Sequence, residues 1–275
     1  MNPDLLFDPL FFWPCLTGLV FALLLPVLGA YLRLRGEWLA ALAYAQMAAA
    51  GGLAATALGL PLILGGPGAA FIAAGVKNAF EQATEATRGA AYAMLLLAGW
   101  GVAILLAANL PLAERLGHAL ADGQLYFTDQ GHFLAALGGL ALALPLLARL
   151  SRPLLLSHFY PDFYRARGLS ARRLHLGFDL LVAGLLALAT TSVGVMAAFA
   201  LVFIPPLAAA PWCRSWTRSL SLGAVFGAAG HLLAFALALG LDQPYGPVLG
   251  LILVALGGGS ALLASGRRLR RTAAV

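Results

Sequence analysis

Charge is scarce in this sequence. Of 275 residues only 10% are Asp, Glu, Lys or Arg, against 61% hydrophobic, and the mean hydropathy is +0.89. Soluble domains carry about 25% charged residues. No water-soluble particle has an interior large enough for this much apolar surface, which excludes a soluble enzyme, a nucleic-acid module and a disordered scaffold and indicates a polytopic membrane protein. Cysteine is nearly absent: Cys15 and Cys213 cannot build a disulfide framework or a CxxC pair. Lys77, in GVKN, is the sole lysine, so the sequence has no GxxxxGK[ST] phosphate loop and no ATP hydrolysis by that route. HExxH and carboxylate-rich helix pairs are missing as well. The opening residues, MNPDLLFDPLFFWP, include Asp4 and Asp8 but no Lys or Arg, and so lack the basic start of a secretory signal peptide.

Hydrophobic runs are plentiful, and about 20 such residues cross a hydrocarbon core. They fall at 11–32, 38–57, 59–75, 89–110, 131–150, 176–191, 194–210, 217–240 and 246–265. The stretch 176–210 would reach about 52 Å as one helix, too long for a single crossing. A break is expected at Thr190-Thr191-Ser192-Val193-Gly194, and Pro205-Pro206 should interrupt the second half again. GGPG at 65–68 should break its own helix or merely kink it. The expectation is an all-α polytopic membrane protein, a single transmembrane domain over 1–275 with eight or nine membrane helices, one of them broken or re-entrant.

Basic residues set the orientation. With the N-terminus outside and nine crossings, every Lys and Arg except Arg115 falls inside, and the C-terminus lies inside too. The net charge of +6 is then read as loop anchors against an anionic inner leaflet, with Arg35, Lys77 and the RRLRR run at 267–271 among them. No nucleic-acid partner is implied. This topology puts Cys15 and Cys213 on opposite sides. Residues 111–130 form an outer amphipathic loop. The inner segment 151–175 contains PDFYRARG, a short helix with Pro161 and Asp162 at its start and Gly168 at its end. Two readings stand for that helix: a docking knob for a cytoplasmic partner, or a plain interfacial loop.

Polar residues inside the spans are few, and such residues often face a pathway. Gln46 sits mid-span, and Thr190, Thr191 and Ser192 mark the expected break. Asp179, near the inner end of its span, is expected at the interface. His231, deep in 217–240, reads either as a pathway residue or as a histidine hydrogen-bonded between helices. A Ser260–His231 hydrolytic pair would require the two side chains to face each other.

The order of these features resembles the permeases of ABC transporters that import zinc, manganese or iron, over roughly 14–260. The matching segments are LRLRGEW at 32–38, ALAYAQMAAAG at 41–51, EATRGAAYA at 85–93 with Glu85 in the acidic place, DGQLYFT at 122–128, PDFYRARG at 161–168, SVGVMAAFALVFIPPLAAA at 192–210 and DQPYGP at 242–247. The resemblance implies a homodimer in the bacterial inner membrane, working by alternating access. A cytoplasmic ABC ATPase would bind the ATP, and an extracytoplasmic solute-binding protein would deliver the cargo. The permease would carry no cofactor and perform no catalysis of its own. The loop 158–173 would seat in the ATPase, with Pro161, Asp162, Arg165 and Gly168 as coupling residues. The family carries an Asp and, four residues on, a His on the second helix; here those places hold Leu42 and Gln46. Leu42 cannot ligate a metal, and an amide is a poor zinc ligand beside imidazole. The pathway candidates are therefore Gln46, Tyr44, Thr190, Thr191 and His231, and the cargo that the resemblance implies is zinc, manganese or a metal chelate. A stand-alone secondary transporter or channel is the alternative; it would need mid-span carboxylates for a coupling ion.

Overall fold

The computed structural model describes residues 9–81, 83–123 and 125–272. Asp4 and Asp8 lie outside the described residues, and the side chains of Arg165 and of the 267–271 run are not described either. Among the described residues the chain is helical and has no strand. Nine helices are long and apolar enough to cross a membrane: α1 (Pro9–Leu34), α2 (Trp38–Ala57), α3 (Leu62–Ala79), α4 (Glu85–Asn109), α6 (Gln130–Phe159), α8 (Ala171–Val193), α9 (Val195–Ala209, with the turn that follows), α10 (Trp216–Leu241) and α11 (Tyr245–Thr272). Two shorter helices, α5 (Pro111–Asp122) and α7 (Pro161–Ala166), lie between them.

All nine hydrophobic runs became helices, but their interruptions differ from expectation. The long run does break at Gly194, whose φ of +87° suits a residue without a side chain. Pro205-Pro206 does not interrupt α9, which continues to Ala209. GGPG does not break α3 either. Its glycines serve packing instead: a Cβ on Gly65 would lie 2.2 Å from the Gly51 carbonyl oxygen, and one on Gly51 would lie 2.4 Å from that of Gly65. Only bare backbone lets α2 and α3 approach this closely. Pro67 sits in the second turn of α3, where it removes a single helical hydrogen bond.

The bundle is layered by burial. Helices α1, α2, α8 and α9 form its centre, while the apolar windows of α4, α6 and α11 are each only 17% buried. Leu97, Leu142, Leu251 and Leu262 project outward, as lipid-facing side chains do. Loops alternate between two ends of the bundle. One end carries the Gly36 turn, residues 80–84, α7 and 210–215. The other carries residues 58–61, α5 and the Gly194 and Asp242 turns. Contacts across the sequence agree with this, since Gly123 packs on Val193 and Gly194.

Candidate functional site

Two features stand out, one toward each end of the bundle. The first is a cavity of about 320 Å³ between α2, α4, α5 and the start of α9. Its walls are largely apolar: Leu53, Trp100, Ile104 and Met196 among others. Its polar lining consists of Gln46 from α2 and Glu114 and His118 from α5. The start of α5 follows from Pro111 in its first turn, where the missing N–H costs nothing. Residues four apart share a helix face, so Glu114 and His118 enter the cavity together. Ala113 and Leu120 of α5 are buried in a cluster with Leu53 and Val195, and Leu120, Leu53 and Val195 also line the cavity.

The sequence-derived pathway residues are not brought together. Gln46 lines this cavity. Tyr44, two positions earlier and so on another helix face, is fully buried, and its hydroxyl has no hydrogen-bond partner among the described residues. Thr190 is buried with its hydroxyl likewise unpartnered. Thr191 borders a separate hollow of about 530 Å³, beside Phe21, Asp129 and His132. His231 lies in neither. Its Nδ1 pairs with the Tyr245 hydroxyl at 2.6 Å and its Nε2 with the Cys15 carbonyl at 3.0 Å. It fills the space beside Gly18, where a Cβ would lie 2.3 Å from the ring. It therefore clamps α1, α10 and α11. Ser260 is engaged elsewhere, accepting from Trp212 Nε1 at 2.6 Å and donating to the Ala208 carbonyl at 2.7 Å. No hydrolytic pair exists between it and His231.

Sequence reasoning missed Glu114 and His118 because α5 was read only as an outer amphipathic element. The available signal was their spacing of four on PLAERLGHAL. Among the described residues no group of three or more His, Cys, Asp or Glu side chains could hold a metal ion.

The second feature is a buried ion cluster at the Gly36 end. Lys77 Nζ, 1% exposed, pairs with Glu37 at 2.9 Å, with Glu81 at 3.3 Å and with Asp179. The Arg35 guanidinium pairs with Glu37 at 2.7 Å and Asp179 at 3.0 Å. Arg88 approaches Glu37 at 3.7 Å, and His175 bonds Glu81 through Nδ1. This corrects three expectations. Asp179 is not interfacial; it is fully buried. Arg35 and Lys77 do not anchor a loop to lipid headgroups; together with Arg88 they balance the three carboxylates. The physical reason is mutual: an isolated buried charge is too costly, so each ion is buried only with partners. Burial alone would raise the Glu81 carboxyl, but the His175 hydrogen bond, Lys77 and Arg35 hold it well below the usual carboxylate range.

The cluster is tied to the segment that follows α7. Asn78 donates to the Arg172 carbonyl at 3.1 Å, and Arg172 Nε returns a bond to Asn78 Oδ1 at 3.0 Å. Ser157, on α6, meets His175 Nε2 at 3.3 Å. Between these anchors α7 projects outward. Pro161, Asp162 and Gly168 are exposed, with the apolar Phe159, Tyr160, Phe163 and Leu169 around them. Tyr164 turns inward. The Leu169 N–H donates to the Tyr164 carbonyl at 3.3 Å, and Gly168 sits between them at φ +68°, the left-handed cap that ends a helix sharply.

The sequence profile of the ABC 3 transport family matches residues 8–260. The chain belongs to that family. No curated protein sequence matches it. Among solved structures, the ABC 3 chain is similar to PsaBC from Streptococcus pneumoniae in complex with Fab, with a TM-score of 0.82 at 19% identity, covering 94% of this chain and 93% of that one. It is also similar to a structure reported as a metal-chelate type ABC transporter in an inward-facing conformation, with a TM-score of 0.76 at 16% identity and coverage of 97% and 90%. At these identities the likeness shows the fold: that of the permeases of metal and metal-chelate ABC importers. Its nine apolar helices make this ABC 3 protein a multi-pass protein of the bacterial inner membrane. The family profile covers the cavity, the ion cluster and α7 alike.

Proposed function

We propose that this chain is the membrane-spanning permease of an ATP-driven importer for a transition-metal ion or its chelate, working by alternating access. The observation that carries this reading is the ABC 3 family match over 8–260 on a nine-helix fold. In this reading the N-terminus lies outside and the Gly36 end faces the cytoplasm. A separate ATPase seats on α7 and its exposed apolar surround, and a solute-binding protein docks at the α5 end. A second copy of the chain completes the path, and ATP is bound only by the partner subunit. Mid-span carboxylates for a coupling ion, which a secondary transporter would need, are not available: Asp179 is already neutralised by Lys77 and Arg35.

Uptake of labelled zinc and manganese tests the cargo. Cells expressing the permease with its ATPase and binding protein are expected to accumulate one of these ions, and an ATPase-dead variant is expected to abolish the accumulation. Uptake that survives loss of the ATPase would favour a stand-alone transporter.

Gly168→Leu tests the coupling surface. The positive φ at this position costs a side-chain-bearing residue about 1 kcal/mol or more, and the α7 turn is expected to reshape without unfolding the bundle. Transport should fall at least about tenfold, with normal membrane insertion and loss of ATPase co-purification. Full transport with intact co-purification would remove α7 from the docking site.

A further inference from the structure

The cavity beside Gln46 has the lining of a ligand site. Ligand pockets run from about 300 Å³ upward and are mostly apolar, with a few placed polar groups, and this one measures about 320 Å³. His118 supplies an imidazole, Glu114 a carboxylate, Gln46 an amide carbonyl and Met196 a thioether. Imidazole with carboxylate is the donor pair that binds zinc, iron(II) and manganese, whereas magnesium and calcium prefer oxygen alone. Both strong donors come from α5 and lie four residues apart, so one rigid helix presents them on one face. No acidic or imidazole side chain comes from α2, where Leu42 and Gln46 stand.

We propose that Glu114 and His118 form a cation-binding site for a first-row divalent transition-metal ion at the mouth of the path, with Gln46 at the far wall. This rests on the proposed importer function and names where its cargo is first held. The pair fills two coordination positions. The rest remain for water or for ligands the ion brings with it, so an ion still carrying part of a chelator fits as well as a bare one. Two protein donors bind weakly enough for release, as a transit site requires. Leu53, Trp100 and Ile104 form the apolar part of the lining.

The test uses the detergent-purified permease–ATPase complex without its binding protein, with Zn²⁺ and Mn²⁺ themselves as probes. Bound metal is measured by competition with a fluorescent chelator and by Mn²⁺ paramagnetic resonance. His118→Ala and Glu114→Gln are each expected to weaken binding by at least about tenfold, and Gln46→Ala by less. His118→Cys is expected to shift preference from Mn²⁺ toward thiophilic Cd²⁺, a change that a merely structural role for His118 would not produce. ATPase co-purification and the melting temperature check that each variant is assembled. Binding unchanged in the Glu114→Gln/His118→Ala double variant would overturn the site, and so would ATP-driven uptake of an ion that the wild-type complex does not bind. A complex that neither binds nor imports either ion would overturn the metal-importer reading itself, and this inference with it.

Discussion

Asp179→Ala is expected to destabilise the protein by about 3–5 kcal/mol, the usual cost of removing one partner from a buried ion pair. Asp179 is fully buried and holds both Arg35 Nη1 and Lys77 Nζ. Without it, two buried cations face only Glu37 and Glu81. The apparent melting temperature in detergent should fall sharply, and the yield of folded protein with it. Lys77→Met should act in the same direction, and the double variant should lose less than the sum, because it removes both members of one interaction. A variant lacking Asp179 that melts like the wild type would mean that water or a rotated side chain replaces the pair. Acid should probe the same cluster. Glu81 has a depressed pKa, so its contribution is fully present above the unfolded carboxylate value of about 4.3 and is lost as pH falls from there through its folded value. Destabilisation from this group should therefore appear only below about pH 4. The cluster also reaches Arg172 and His175, the first turn of the helix that follows α7. A loosened cluster is therefore expected to lower ATPase coupling in whatever protein survives.

The second large effect is steric. A Cβ on Gly29 would lie 1.8 Å from the Val202 carbonyl oxygen and 2.7 Å from its carbon. These are backbone atoms of α9, which cannot swing aside as the end of a side chain can. Gly29→Ala should therefore force α1 and α9 apart, at about 3 kcal/mol, and Gly29→Leu should abolish folding. Gly75→Ala is the control, because a Cβ there meets nothing within 4 Å. Melting temperatures of the two alanine variants decide the matter: near-identical values would mean that α1 and α9 do not pack backbone to backbone.

These two sites show where sequence reading reached its limit. The nine spans were legible because each is a run of apolar residues of bilayer length, and lipid requires such runs whatever they pack against. The break at Gly194 was legible from length alone. The role of proline was not. Pro205-Pro206 was expected to interrupt its helix and GGPG at 65–68 to break or kink one, yet all these prolines stay inside helices. Neighbouring helices compensate for a lost hydrogen bond in ways that no local pattern records. Charge misled in the same way. Arg35 and Lys77 fit a positive-inside count, and nothing in the local sequence says that their partners are Glu37, Glu81 and Asp179.

His231 and Gln46 were equally plausible pathway residues in one dimension. Only the fold separates them: both ring nitrogens of His231 are spent on Tyr245 and Cys15, while Gln46 lines a cavity with Glu114 and His118. By itself the sequence determined the class of protein, the placement of its apolar runs and the order of segments that marks its family, because hydrophobicity and length act locally along the chain. The tertiary structure alone decided which charges neutralise one another, which glycines let helices touch and which polar side chains share a cavity, because each of these depends on distances between residues far apart in the chain.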